Sequence, residues 1–314
     1  MVRIEDDLLM PFEGSDRKAA VCLGNFDGVH IGHQALLLEN SRKAAEQSLV
    51  RRVVTFDPHP GILMGDPRLK LIHTKEQKAD RIEETGHADE LIFLHFTEAL
   101  RSMEPERFFE EILLSRYQAC LVTVGDDFRF GKYGRGDVKM LEKLCGEAGI
   151  SLIVLPRVEY GGAPVSSSRV RAYLESGQIE KASELMGRRC SLSGIVEEGK
   201  HVGRKLHAPT VNIMFEEHQV IPMRGVYVSE IEVRGQKYFG VSNVGINPTF
   251  GGEAPRIETY IFDFEKELYR EKIRVSLLRF LRPEKAFDSP EDLKAQIARD
   301  VENAKAYVKE MVNP

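Results

Sequence analysis

Short apolar runs alternate with helical patterns through the first half of the chain. The runs that predict buried strands are Ala19–Leu23, Val50–Phe56, Leu91–Phe96, Cys120–Val124 and Ser151–Leu155. Segments with apolar residues at helical spacing predict helices from Ala35 to about Gln47 and over Lys75–Thr85, Pro105–Leu114, Val138–Ala148, Ser168–Glu175 and Ile179–Met186. Strands that alternate with helices in this way predict a doubly wound α/β domain.

The pattern changes near Gly187, because the later strand-like runs follow one another without helices between them. These runs are Cys190–Val196, Thr210–Phe215, Gly225–Val233, Tyr238–Val244, Ile257–Phe262 and Ile273–Leu281. Their spacing predicts an antiparallel barrel or sandwich. A terminal helix follows, capped by Ser289, and its apolar stripe predicts core packing through Leu293, Ile297, Val301, Ala304, Val308 and Met311. We therefore expect two domains, residues 1–186 and 187–314.

Composition narrows the class of protein without identifying it. The hydrophobic fraction of 42% and the charged fraction of 30% are typical of a soluble globular protein. No apolar run approaches the ~18 residues of a membrane helix, and the acidic N-terminus lacks a signal-peptide pattern. The net charge of −5 argues against broad nucleic-acid binding. The four cysteines are widely spaced with no CxxC pair, so we expect neither disulfides nor zinc, and a reducing cytoplasm.

A glycine-rich turn between the first strand and the first helix has the residues of a phosphate site. It reads Gly24-Asn25-Phe26-Asp27-Gly28-Val29, followed by His30-Ile31-Gly32-His33. A helix N-terminus offers unpaired N–H groups to an anion, and glycine lets the backbone approach a ligand closely. His30 and His33 share one face if both lie on the first helical turn. The alternative is a pair of ordinary surface or core histidines.

Three further motifs follow predicted strands or begin a helix. Thr55–Pro60 ends a strand with two prolines, Asp57 and His59, which fits a rigid turn or a ligand site. Gly125–Gly131 contains Asp127 and two phenylalanines, which fits a ligand loop or a plain connector. Ser166–Arg171 begins a helix with serines that cap it and arginines that favour polyphosphate.

The second half carries fewer candidate residues. Gly199–Lys205 is a basic glycine loop that fits phosphate binding or a solvated hairpin. Thr210 and Asn212 face the same side of a strand, where a hydroxyl and an amide oxygen can hold Mg²⁺. Glu258 alternates with apolar residues, which fits a solvent-facing carboxylate or a proton acceptor beside a bound nucleotide.

Taken together and in order, these motifs resemble the prokaryotic bifunctional riboflavin kinase/FAD synthetase family over nearly the whole chain. The resemblance implies a Rossmann-like nucleotidyltransferase domain and a β-barrel kinase domain. It also implies ATP, FMN, FAD and riboflavin as substrates or products, with Mg²⁺ or a similar divalent cation. Partners are then small molecules, with no nucleic acid and no membrane, and the oligomeric state stays open.

For the first domain, the resemblance implies that the phosphate of FMN attacks the α-phosphorus of ATP, which gives FAD and pyrophosphate. His30 and His33 would bind the reacting phosphates, within an ATP-binding turn that includes Gly24, Phe26, Asp27 and Gly32. The β- and γ-phosphates would be held by Ser167, Ser168 and Arg171. The flavin would lie near Asp57, Pro58, His59, Asp127, Phe128 and Phe130.

For the second domain, the resemblance implies phosphorylation of riboflavin to FMN. Thr210 and Asn212 would hold Mg·ATP, with Gly199 and Gly203 near its phosphates, Glu258 as general base and Arg282 near the flavin. The chain departs from the family pattern at His207, Ala208 and Arg270, and mildly at Ser168. Three alternatives stay open: a monofunctional FAD synthetase with a silent kinase module, a flavin-binding regulatory protein, and a nucleotidyltransferase with another acceptor.

Overall fold

The first half of the chain folds around a six-stranded parallel sheet. The computed structural model describes residues 1–197, 210–246, 255–264 and 266–312. The chain divides into two compact units, Met1–Ser167 and Ser168–Pro314. The strands of the first sheet are β1 Val2–Asp6, β2 Ala19–Leu23, β3 Val50–Asp57, β4 Glu90–His95, β5 Ala119–Gly125 and β6 Ser151–Leu155.

The strand order is β1-β4-β3-β2-β5-β6. The chain therefore moves outward from β2 in one direction and from β5 in the other. In an open parallel sheet the point where the order reverses leaves a crevice at the carboxyl ends of the two strands, and ligands bind there. The predicted histidine turn follows β2 and the predicted Asp127 loop follows β5.

Helices cover both faces of this sheet, as a doubly wound fold requires. They are α1 Ile31–Glu46, α2 Pro60–Leu63, α3 Lys75–Glu84, α4 Glu98–Arg101, α5 Pro105–Arg107 and α6 Val138–Ala148. The α5 helix continues as a π-helix over Phe108–Arg116. A two-stranded hairpin, β7 Glu159–Tyr160 and β8 Ala163–Pro164, follows β6.

Alternate residues of β2 face opposite hydrophobic clusters, which explains why the whole strand is apolar. Val21 and Leu23 pack in one cluster with residues of the π-helix, whereas Cys22 packs in another with Leu37 of α1 and Ile82 of α3. All five residues of β2 are buried. A strand covered on both faces reads as a continuous apolar run, and this confirms the predicted α/β class.

Some elements of the first unit differ from those that the hydrophobic pattern predicts. Only Ile4 and Asp6 of β1 are buried, so this edge strand has no apolar run to reveal it. The helix predicted from Ala35 begins four residues earlier, at Ile31, which brings His33 into its first turn. The segment predicted as an ordinary helix over Pro105–Leu114 is mostly π-helical.

The second unit is built on a six-stranded antiparallel sheet, which confirms the predicted class of the C-terminal half. Its strands are β9 Cys190–Ile195, β10 Thr210–Met214, β11 Gly225–Val233, β12 Gln236–Ile246, β13 Pro255–Ile261 and β14 Lys272–Pro283, in the order β10-β13-β12-β11-β14-β9. The sheet curls into a half-barrel, since its two edges approach at a bridge in which the Glu197 amide donates to the Asn212 carbonyl at 3.0 Å.

Three further helices follow the first sheet in the chain. They are α7 Ser167–Glu175, α8 Ile179–Met186 and the terminal α9 Pro290–Val312. Of the stripe predicted for α9, Val301, Ala304, Val308 and Met311 pack against a cluster that includes Val228 and Leu278, whereas Leu293 and Ile297 are half-buried outside that cluster. The pattern did not predict Asp300, which is only 3% exposed on α9 and pairs with Arg282 at 2.7 Å. Within the described residues, no helix is both long and apolar enough to cross a bilayer.

A buried polar network fixes α1 against the first sheet. The Asn40 side-chain amide donates to the Ala20 carbonyl at 3.2 Å and accepts from the Thr123 hydroxyl at 3.0 Å. All three residues are 0% exposed. Because apolar packing alone allows a helix to slide along a sheet, these bonds to β2 and β5 determine where α1 begins relative to the strand ends.

We expect Asn40→Ala to lower the free energy of unfolding by about 2–3 kcal/mol, because it strands a buried carbonyl and hydroxyl. Thr123→Val should cost about 1 kcal/mol. Leu38→Ala is the matched control, since Leu38 lies on the same helix and is 54% exposed. Urea unfolding followed by circular dichroism measures all three, as the chain contains no tryptophan. A loss in Leu38→Ala equal to that in Asn40→Ala would contradict the role of the network.

Candidate active site

The turn between β2 and α1 adopts an unusual backbone conformation. Phe26, Gly28 and Val29 all have positive φ, at 48°, 82° and 42°. Phe26 and Val29 are both 0% exposed, so burial of their side chains holds this conformation in place. A Cβ on Gly28 would lie 2.7 Å from the Ile72 Cδ1 methyl, and a φ of 82° favours glycine at this position.

His30 and His33 come together at the start of α1. His30 is the N-cap, and its Nδ1 accepts from the His33 backbone amide at 3.3 Å. The two rings stack with centroids 3.6 Å apart and planes 12° apart. Because Nδ1 is an acceptor, Nε2 of a neutral His30 carries the proton and is a donor. The predicted pair therefore shares one helix face. A Cβ on Gly32 would lie 3.2 Å from His30 Nδ1, which explains the glycine between them.

Asp27 is buried at 1% exposure and organises the segments around the turn. Its Oδ1 accepts from the backbone amides of Ile72 and His73, at 2.9 and 3.4 Å. Its carbonyl accepts from the Ser167 hydroxyl at 2.9 Å. One residue thus holds the segment before α3 and the first residue of α7, and it places predicted Ser167 beside the histidine turn.

Ser168 and Arg171 continue α7 beyond Ser167. The Arg171 Nη1 lies 3.4 Å from the Ser168 Oγ, so the two predicted phosphate ligands are close to each other.

Gly24 begins the histidine turn, and its amide donates to the Val54 carbonyl of β3 at 3.2 Å.

The residues predicted for the flavin after β3 already have contacts within the protein. Asp57 pairs with Lys75 at 2.6 Å, and a cis peptide bond links Asp57 to Pro58. Lys75 also pairs with Glu5 at 2.5 Å. Burial lowers the pKa of Lys75, but its bonds to the two carboxylates outweigh this and raise the pKa above its usual value. His59 caps α2, since its Nδ1 accepts from the Gly61 amide at 3.1 Å.

The loop after β5 separates its predicted flavin residues by burial. Asp127 is exposed and Phe128 is half-buried. Phe130 is only 5% exposed, and its ring centroid lies 5.9 Å from that of Phe128 and 5.9 Å from that of Phe108. The structure therefore places Phe130 in the hydrophobic core beneath the loop, whereas Asp127 and Phe128 are accessible at its surface.

In the second unit, three neighbouring strands present polar side chains in one row. Asn212 on β10 is directly opposite Glu258 on β13, which is opposite Asn243 on β12. Directly opposed residues point to the same side of a sheet. The Thr210 hydroxyl donates to Glu258 Oε1 at 2.8 Å, so the predicted Thr210, Asn212 and Glu258 lie together. Asn243 was not predicted, and only its position opposite Glu258, which a sequence does not show, identifies it.

The remaining predicted residues of the second unit are less closely grouped. Arg282 makes hydrogen bonds of 3.0 and 2.7 Å to the two carboxylate oxygens of Asp300. Arg270 is exposed and has φ of 65°, a conformation that favours glycine. The predicted Gly199 and Gly203, and the departures at His207 and Ala208, lie outside the described residues.

A doubly wound sheet with paired histidines at a helix N-terminus, beside the point where its strand order reverses, has the arrangement of a nucleotide-binding domain. The FAD synthetase family model matches residues 13–169, and the riboflavin kinase family model matches residues 186–308. The chain belongs to the bifunctional riboflavin kinase/FMN adenylyltransferase family. This confirms the resemblance predicted from the motifs, and with it an enzyme that carries both modules.

Curated relatives align along most of their length. The bifunctional riboflavin kinase/FMN adenylyltransferase of Bacillus subtilis is 35% identical over 92% of both chains. That of Listeria monocytogenes is 32% identical over 94% of both chains. A crystal structure described as a macrolide-efflux protein from Streptococcus pneumoniae has a TM-score of 0.84 and 29% identity, covering 96% of this chain and 97% of that one.

We expect Gly28→Ala to destabilise the first unit by about 1–2 kcal/mol, because alanine at this positive φ is strained. Gly146→Ala is the matched control, since Gly146 lies in α6 with no atom within 4 Å of an added Cβ. That change should be neutral or stabilise by up to about 1 kcal/mol. Thermal unfolding distinguishes the two, and equal effects would argue against strain in the turn.

Proposed function

We propose that the histidine turn is the adenylyl-transfer site of this enzyme. The observation that supports this most is the stacked His30–His33 pair at the N-terminus of α1, at the point where the strand order reverses. There the α-phosphate of ATP meets the first backbone amides and the positive end of the helix. Gly24, Phe26, Asp27 and Gly32 shape the backbone against the nucleotide.

In this proposal an oxygen of the FMN phosphate attacks the α-phosphorus of ATP. The bond from that phosphorus to the bridging oxygen breaks, and pyrophosphate leaves with the electron pair. His30 donates from Nε2, and His33 lies beside it, so both stabilise negative charge that grows on the phosphate oxygens. No covalent intermediate is needed, since positioning and electrostatic stabilisation suffice for phosphoryl chemistry.

The departing pyrophosphate is held by α7. Ser167, Ser168 and Arg171 bind the β- and γ-phosphates through hydroxyl groups and a guanidinium. The bond from the Ser167 hydroxyl to the Asp27 carbonyl supports the assignment of Ser167, because it holds this residue beside the histidine turn. The flavin lies along the carboxyl ends of β3 and β5, near Asp57, Pro58, His59, Asp127 and Phe128, with Phe130 supporting the loop from the core.

The row on β10, β13 and β12 supports a kinase site in the second unit. Glu258 accepts the proton of the riboflavin 5′-hydroxyl as its oxygen attacks the γ-phosphorus of ATP, and ADP leaves. The oxygens of Thr210 and Asn212 suit a Mg²⁺ ion, which when bound would neutralise the phosphates. Arg282, held by Asp300, would border the flavin.

We also propose that the functional boundary between the modules lies near Gly187, at the end of α8. The two family matches leave residues 170–185 between them, and most of these belong to α7 and α8. The cysteines are free thiols, and Cys22, Cys145 and Cys190 are buried. Free thiols fit work in a reducing cytoplasm.

His30→Ala should lower FAD formation from FMN and ATP by about a hundredfold or more, because it removes a donor to the transition state. Phosphorylation of riboflavin by the same variant should stay within about twofold of the wild type. Steady-state assays with separate FMN and riboflavin substrates, with products resolved by chromatography, measure both reactions. Equal loss of both reactions would contradict separate sites.

Glu258→Gln should lower FMN formation from riboflavin by about a hundredfold or more, because an amide cannot accept the proton. FAD formation from supplied FMN should be unchanged. The wild-type chain must itself convert riboflavin, ATP and Mg²⁺ to FMN or FAD in this assay. If riboflavin is untouched while FMN is adenylylated, the chain is an FAD synthetase with a silent kinase module.

A further inference from the structure

A lysine is buried beneath the adenylyl-transfer turn, in a place where charge is costly. Lys78 lies in α3 and is only 5% exposed. Burial lowers the pKa of its ammonium below the usual value, while Asp27 and Asp57 raise it. A methionine of similar length would fill the same space without the cost of removing a charge from water. Core packing therefore does not explain why this residue is a lysine.

The ammonium begins a chain of hydrogen bonds that ends at the backbone of the turn. Lys78 Nζ donates to the Thr55 hydroxyl at 3.3 Å, and this hydroxyl donates to the Asn25 carbonyl at 3.0 Å. Thr55 is 0% exposed. A hydroxyl that accepts from an ammonium is polarised and becomes a stronger donor. The position of the Asn25 peptide is thus tied to α3 through β3.

Asn25 lies between Gly24, which we propose shapes the backbone against the nucleotide, and Phe26, whose positive φ is strained. A shift of its peptide therefore moves the backbone that leads to Asp27 and His30. The Lys78 charge also faces Asp27, whose carboxylate holds the Ile72 and His73 amides. Both effects act on the geometry of the turn without contact with ATP.

We propose that Lys78, acting through Thr55, is a positioning residue that holds the histidine turn in its reactive geometry. This rests on the proposed adenylyl-transfer site. The proposal predicts that replacing Lys78 with an apolar residue lowers the rate of turnover without lowering the stability of the fold. If Lys78 only supported the fold, the same replacement would lower stability.

Lys78→Met should lower kcat for FAD formation by about ten- to a hundredfold, because small displacements of reacting groups have effects of this size. The KM for ATP should change less than about threefold, since Lys78 does not touch the nucleotide. The melting temperature should stay equal or rise. Lys143→Met is the matched control, as its side chain is 75% exposed on α6, and it should leave kcat and KM unchanged.

Thr55 variants test the same chain from its other end. Thr55→Val removes the hydroxyl and should reproduce the loss of kcat, whereas Thr55→Ser keeps the hydroxyl and should restore most of it. Combining Thr55→Val with Lys78→Met should lower kcat little further than the more damaging single change, because both break one chain.

Several outcomes would overturn the inference. Wild-type kcat in Lys78→Met overturns it alone and leaves the proposed site standing if His30→Ala is inactive. A fall in kcat that accompanies a lower melting temperature, with Thr55→Ser as damaging as Thr55→Val, assigns Lys78 to the fold. Absence of FAD formation by the wild-type chain overturns both this inference and the proposed function.

Discussion

The candidate adenylyl-transfer site depends on the hydrogen bonds that the buried carboxylate of Asp27 accepts. At 1% exposure it has few water molecules to solvate it, so it needs the Ile72 and His73 amides as donors. Meeting that need fixes the segment before α3 beside the turn. The carbonyl of the same residue accepts from the Ser167 hydroxyl, so Ser167 is held beside the turn as well. Segments far apart in sequence thus converge because two acceptors of one buried residue, the carboxylate and the backbone carbonyl of Asp27, are satisfied by donors from those segments.

Burial of side chains offsets the backbone strain of the histidine turn. The positive φ angles of Phe26 and Val29 are unfavourable for residues with a side chain, and the two buried side chains offset this cost by packing in the core beside β2. The Asn40 network then sets the position of α1, and with it the His30–His33 pair. In the kinase unit the row of polar residues is set more simply, by strand register across β10, β13 and β12.

Much of this architecture follows from the sequence because burial on both faces leaves a simple pattern. The five apolar residues of β2 and the helical stripe of α9 are examples, and the histidine turn was predicted as a unit from its glycines and polar residues. β1 was missed because an edge strand with one acidic residue turned inward has no such pattern. Asp300, Lys78 and Asn243 were missed because each is defined by a partner distant in sequence. Phe130 was read from its aromatic character, which does not distinguish a ligand contact from a core contact.

The pairing of the second sheet has a consequence for synthesis of the protein. Every strand of the first sheet lies before residue 156, so that sheet can assemble while the chain is still being made. In the second sheet β9, the first strand to emerge, pairs with β14, the last. Its partner appears only after about eighty further residues have been added, and α9 covers the core later still. The adenylyltransferase sheet can therefore form before the kinase sheet, whose last strand has not yet been synthesised at that stage.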